Sequence, residues 1–215
     1  LQELGRLEEA EASYKQAIAL KPDYDEAHYN LGVAHQELGR LDEAEACYRQ
    51  AIVLKHDYAE AYNNLGAALQ ELGRLDESEA GLRQAIALKP DFFEAHNSLG
   101  NTLKELGKLD EAEASYRQAI ALKPDSAEAY NNMGTALFDK GDLEAAIGSF
   151  KQALKIKPDF ADAYYNMGHT LNDKGDLEVA IESYKQAIQI KPDHAGVWNN
   201  LIFPLQAMKL QAPSI

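Results

Sequence analysis

The sequence predicts an all-α chain, an α-solenoid built by stacking one two-helix unit. Three observations predict it. Gly32, Gly66, Gly100, Gly134 and Gly168 follow one another at a constant interval of 34 residues, each inside a similar stretch such as AEAYNNLGAALQELG from Ala59 or AEAYNNMGTALFDKG from Ala127. Apolar and small residues within each interval recur at three- and four-residue spacing, the period of an amphipathic helix. Turn-forming residues interrupt that period twice per interval, a glycine near the middle and a proline near the end. Such an array has no central core and buries apolar surface only between neighbouring units.

Each element follows from its residues. With Ala127 as position 1, Tyr130, Met133, Gly134 and Leu137 (positions 4, 7, 8 and 11) make the inner stripe of a first helix. Ala146, Phe150 and Ala153 (20, 24 and 27) make that of a second. Before each first helix, Asp23 with Glu26, Asp57 with Glu60, Asp91 with Glu94 and Asp125 with Glu128 have the spacing of a capping box, in which each side chain satisfies a free backbone amide. Gly196 breaks this pattern opposite Asp193. Glycine at position 15 (Gly39, Gly73, Gly107, Gly141, Gly175) suits the left-handed residue that closes a helix, and the proline at 32 stops the second helix. His56 replaces that proline once, which predicts a looser turn. The units run 25–58, 59–92, 93–126, 127–160 and 161–194. Residues 1–24 form a partial unit, mostly second helix, and 195–215 a terminal helix and tail that leaves the pattern at Ile202 and Pro204.

Composition narrows the partner. Thirty-five acidic against 21 basic residues give a net charge of -14, which disfavours a nucleic-acid backbone and favours a neutral or basic protein or peptide. No stretch is apolar and long enough to span a bilayer. The lone Cys47 offers no disulfide and has no neighbouring base to make it a nucleophile. Gly107 and Lys108 do not form a phosphate loop, because six residues rather than four separate Gly100 from Gly107, and Leu109 stands where a hydroxyl would bind magnesium. His28 and His35 share a helix face with no third ligand, so they read as packing residues rather than a metal site. No catalytic group and no cofactor is expected.

The position-numbered pattern resembles the tetratricopeptide repeat, whose 34-residue period and Trp/Leu-Gly/Tyr/Ala/Phe/Pro spacing it follows along nearly the whole chain. The resemblance implies a right-handed superhelix whose first helices line a concave groove. Positions 2, 5, 6, 9, 12 and 13 face away from the packing stripe. Position 6 carries Asn30, Asn64, Asn132, Asn166 and Asn200, with Ser98 as the one departure, and Asn63 and Asn131 sit beside them at position 5. A carboxamide presents both a donor and an acceptor, as a peptide bond does. This ladder resembles the repeat domain of O-linked N-acetylglucosamine transferases, and that likeness implies that the asparagines clamp an extended peptide. The carboxylate clamp of cochaperones is disfavoured, because Glu26, Glu60, Glu94, Glu128 and Asp162 occupy position 2. Asn101, Phe138, Tyr165 and His169 are expected to supply side-chain selectivity, within an acidic rim of Glu37, Glu71, Glu105, Asp139 and Asp173. Two functions are therefore expected, a peptide-binding scaffold or the substrate-recruiting arm of a larger glycosyltransferase or sulfotransferase. Leu7, Trp198, Leu201 and Leu205, on end helices without full partners, predict end-to-end association of copies.

Overall fold

The computed structural model describes residues 2–194, 196–198 and 200–201, with side chains from Arg6 onward. The described residues contain α1 Gln2–Leu20, α2 Asp25–Glu37, α3 Leu41–Leu54, α4 Ala59–Glu71, α5 Leu75–Leu88, α6 Phe93–Glu105, α7 Leu109–Leu122, α8 Ala127–Asp139, α9 Leu143–Ile156, α10 Ala161–Lys174 and α11 Leu177–Ile190, and residues 196–198 and 200–201 are helical as well. They fall into two compact units, Leu1–Lys108 and Leu109–Ile215. In the first, each helix packs on its sequence neighbours, and α4 also touches α2 and α6; in the second, α10 also touches α8. That nearest-neighbour pattern makes each unit a stretch of α-solenoid.

One contact is repeated at the heart of four hairpins. The glycine at position 8 leaves room for the large side chain at position 24: a Cβ on Gly32 would lie 2.7 Å from Tyr48, on Gly66 2.6 Å from Leu82, on Gly134 2.5 Å from Phe150 and on Gly168 2.9 Å from Tyr184. Tyr48, Phe150 and Tyr184 are thereby fully buried, each worth about 1.5–3 kcal/mol in apolar transfer. The glycines are the small packing residues that the sequence indicates. The turn glycines also behave as expected, with φ of 72°, 74°, 73°, 86° and 92° from Gly39 to Gly175.

Successive repeats are joined by polar contacts too. Arg40 pairs with Glu11, Arg74 with Glu45 and Lys108 with Glu79 in the first unit, and Lys140 with Glu113 in the second. The same glutamates pair with Lys15, Arg49, Arg83 and Arg117 one turn along their own helices. The cations of these pairs are exposed while the glutamate side chains are only 12–14% exposed, and with one partner in water each pair contributes modestly. Deeper down, Ser78 Oγ donates to the Gly66 carbonyl at 2.7 Å and meets Thr102 Oγ1 at 3.0 Å, which satisfies two fully buried hydroxyls.

The capping boxes are not formed. The helices begin one residue later than the aspartates imply, so the N-cap residues are Tyr24, Tyr58, Phe92, Ser126 and Phe160, and only Ser126 accepts a side-chain cap bond, from Ala129 N at 3.2 Å. The aromatic rings instead lie beneath lysines: Lys21 over Tyr24, Lys55 over Tyr58, Lys89 over Phe92 and Lys157 over Phe160. Tyr58 and Phe92 are buried, Phe160 is half-buried and Tyr24 is exposed, and each ring carries its cation on an aromatic face where a side-chain cap bond is absent. At the replaced proline, the His56 ring reaches the Ile52 carbonyl at 3.0 Å.

Candidate functional site

The first helices, α2, α4 and α6 in one unit and α8 and α10 in the other, carry the predicted ladder. Asn30, Asn64, Asn132, Asn166 and Asn200 are all half-buried, as are Ser98 and Asn101, whereas Asn63 and Asn131 at position 5 are only 8% exposed. The two asparagine positions are coupled from one repeat to the next. Asn64 Nδ2 donates to Tyr29 Oη, Asn166 Nδ2 to Asn131 Oδ1 and Asn200 Nδ2 to Tyr165 Oη, each at 3.0 Å. Position 6 of one helix thus anchors to position 5 of the preceding one. Asn63 Nδ2 adds a bond to Asn64 Oδ1 at 3.0 Å.

Ser98 interrupts this arrangement, with a visible consequence. Asn63 Oδ1, the atom matching the acceptor on Asn131, is buried and has no hydrogen-bond partner. A serine at position 6 has no amide to send back. A second gap of the same kind lies in the last repeat. Tyr48 Oη donates to Gln36 Oε1 at 2.8 Å, but the corresponding Tyr184 Oη and Asn172 Oδ1 are both buried without partners, Asn172 being one methylene shorter than glutamine.

The aromatic residues expected to confer selectivity do come together. Phe138 meets His169 edge-on with centroids 5.1 Å apart; Tyr165 lies 6.4 Å from His169, 6.2 Å from Tyr184 and 4.8 Å from His194. His194 Nε2 stands 3.3 Å from Asp162 Oδ1. In the same unit, Ala127, Glu128, Asn131, Asn132, Lys157, Phe160 and Asp162 line a cavity of about 380 Å³.

The rim residues Glu37, Glu71, Glu105, Asp139 and Asp173 are exposed. Two of them accept from the preceding repeat: Gln36 Nε2 reaches Glu71 at 3.3 Å and Gln70 Nε2 reaches Glu105 at 2.6 Å. Burial raises the Tyr29 phenol, against the opposing effect of its bond from Asn64, and pushes Tyr58 up to about 12. It likewise raises the half-buried Cys47 thiol, which disfavours the reactive thiolate.

The histidines at position 4 have a role the sequence did not disclose. His28 Nε2 bonds the Pro22 carbonyl at 3.0 Å, His96 Nε2 the Pro90 carbonyl at 2.9 Å and Trp198 Nε1 the Pro192 carbonyl at 3.0 Å. A ring N–H here ties each first helix to the turn before it. His35 is buried with Nδ1 unpartnered. No group of three or more His, Cys, Asp or Glu that could hold a metal occurs among the described residues, and no helix among them is long and apolar enough to cross a membrane. Leu7 is half-buried and Trp198 is 52% exposed; Ile202, Pro204 and Leu205 lie outside the described residues.

A family model described as TPR repeat matches residues 1–39, 37–73, 69–107, 100–141 and 134–172, and one described as tetratricopeptide repeat matches 161–194. The chain belongs to the tetratricopeptide repeat family. No curated protein matches it. Among solved structures, it is similar to YrrB, described as a TPR protein with an unusual peptide-binding site, at 26% identity and a TM-score of 0.68 over 87% of this chain and 96% of that one. A chain of the APC/C hetero-tetramer Cut9-Hcn1 shares 20% identity with a TM-score of 0.81, over 94% of this chain but 40% of its own length. Pseudomonas aeruginosa pilF shares 20% identity with a TM-score of 0.77, over 92% of this chain and 90% of its own. The last two likenesses concern the fold alone. This tetratricopeptide array is thus a scaffold of a kind suited to protein interaction.

Proposed function

We propose that this tetratricopeptide array holds extended polypeptide along the first helices of each unit, gripping the ligand's main chain through the position-6 asparagines. The observation that carries the reading is how those asparagines are held. Asn64, Asn166 and Asn200 each give one N–H to the preceding repeat, which fixes the carboxamide while leaving it half-exposed. A fixed side chain loses little rotamer entropy when a ligand arrives. Adjacent packed helices lie roughly 8–10 Å apart and an extended chain advances about 3.3 Å per residue, so one carboxamide per repeat meets about every third peptide unit. The similarity to YrrB, with its peptide-binding site, supports the same reading.

The ligand is a neutral or basic protein segment. The net charge of -14 and the exposed acids at position 13 disfavour acidic peptides and nucleic acid. The chain itself recruits or holds its partner and carries out no reaction.

The test uses a peptide selected from a random dodecamer library displayed on phage. Replacing Asn64, Asn132 and Asn166 together by Ala weakens its binding by about 1 kcal/mol per lost rung, measured by calorimetry. Stability falls modestly as well, because Tyr29 Oη and Asn131 Oδ1 lose their donors. Unchanged affinity in the triple variant refutes the role.

A further inference from the structure

The cavity in the second unit lies at repeat positions where the first unit carries an ion pair. At the first helix of the second full repeat, Glu60 is engaged by Lys89 at 3.1 Å, so the acid at position 2 and the lysine at position 31 neutralise each other. Burial opposes ionisation of Glu60, but its own backbone hydrogen bond, with help from Lys89, holds it below the usual carboxylate range. Two repeats later the equivalent Glu128 and Lys157 make no ion pair. They line the cavity of about 380 Å³ together with Asp162, Asn131 and Asn132, and Lys157 lies over the Phe160 ring, 5.1 Å from its centroid. The cavity therefore presents two exposed carboxylates, Asp162 with its Oδ1 3.3 Å from His194 Nε2, one ammonium held on an aromatic face, and two carboxamides from positions 5 and 6 of the ladder.

We infer that this cavity is a subsite for an arginine side chain of the ligand. The claim rests on the reading that a peptide runs along the first helices, and it adds which side chain is read, and where. Two carboxylates against one ammonium leave a net charge of -1 in the lining, which one cation offsets. A guanidinium offers a planar fork of donors suited to carboxylates and can spread them between Glu128 and Asp162, whereas an ammonium is a point charge. An apolar side chain would desolvate the charged walls without replacing their hydrogen bonds. Asn131 and Asn132 belong both to the cavity lining and to the ladder, so a side chain can enter while its own main chain passes Asn132. Asn131 is fixed there by accepting from Asn166 at 3.0 Å.

Citrulline, which keeps the shape of arginine and loses its charge, separates the subsite from the backbone grip. Two probes are used with the whole chain: a fluorescent alanine-serine dodecapeptide with one central guest, arginine or citrulline, and N-acetyl-arginine methylamide with its citrulline analogue, titrated while backbone amide resonances are followed. The expected result is roughly tenfold tighter binding for the arginine guest, in keeping with the strength of charge-assisted hydrogen bonds. Amide shifts from the small arginine probe should centre on residues 127–132 and 157–162. Glu128→Gln and Asp162→Asn should each reduce the preference, while Glu60→Gln leaves it unchanged. If the small probe binds at these residues but the dodecapeptide does not bind at all, the subsite stands and the extended-peptide reading fails. If the dodecapeptide binds with equal affinity for either guest, or the small arginine probe moves no resonance in the cavity, the arginine subsite is overturned.

Discussion

Replacing Ser98 by Asn should stabilise the first unit, and the structure sets the size of the effect. Ser98 stands on α6 at the ladder position where Asn166 and Asn200 send an N–H to the preceding repeat at 3.0 Å. Its absence leaves Asn63 Oδ1 buried and unpartnered, and an unsatisfied buried acceptor costs about 1–3 kcal/mol. Serine and asparagine have similar helix propensities, so the backbone change is small. The longer side chain loses some rotamer freedom on being fixed, of order 1 kcal/mol, leaving an expected net gain of about 1 kcal/mol. Because an array need not unfold in one step, native-state hydrogen exchange at the α4 and α6 amides is the suitable assay, with chemical denaturation beside it. Ser98→Ala is the control, since it supplies no donor and should gain only the few tenths of a kcal/mol that alanine's helix propensity brings. Equal or faster exchange at α4 in Ser98→Asn than in the parent would refute the view that a missing amide leaves this acceptor unmet.

The last repeat supports a parallel expectation: Asn172→Gln should let its side chain accept from Tyr184 Oη, as Gln36 accepts from Tyr48 at 2.8 Å, slowing exchange in α10 and α11; no change there would contradict it. The same substitution should act in opposite directions at two glycines of the second unit. Gly134→Ala forces a Cβ to 2.5 Å from Phe150 and should cost about 1–3 kcal/mol, whereas Gly148→Ala on α9 meets nothing within 4 Å and should gain about 0.5–1 kcal/mol. Denaturation of both variants checks the pair, and equal signs would refute the packing argument.

Much of this fold is legible because one repeat reports on another. Helix periods, the positive-φ glycines at position 15 and the glycine at position 8 all follow from local spacing, and the structure places the large residue at 24 against that glycine as stacking requires. The helices start a residue later than the sequence implies: aspartate followed by glutamate three residues on is a genuine capping pattern, but here the N-cap is the residue at position 34, a buried Tyr58 beneath Lys55 before α4 and a bonding Ser126 before α8. The candidate site was half legible. Asparagine recurrence marks the wall, yet the bond that fixes Asn131 comes from Asn166 in the next repeat, 35 residues away. A search for complementary pairs at a separation of 35 residues would have found the coupling, and Ser98 as its gap. The proline-carbonyl bonds of His28, His96 and Trp198 left no such signal, because the partner is backbone.

Backbone recognition is the central claim, and ester substitution in the ligand addresses it most directly. An ester removes one N–H donor from the main chain and weakens the adjacent acceptor while leaving every side chain in place. In the phage-selected dodecamer, single esters placed along the sequence should weaken binding with a period of about three residues, the spacing set by one carboxamide per packed helix, while exchanging side chains away from the cavity has little effect. Uniformly negligible losses from the esters, with affinity governed by side-chain identity throughout, would contradict the account.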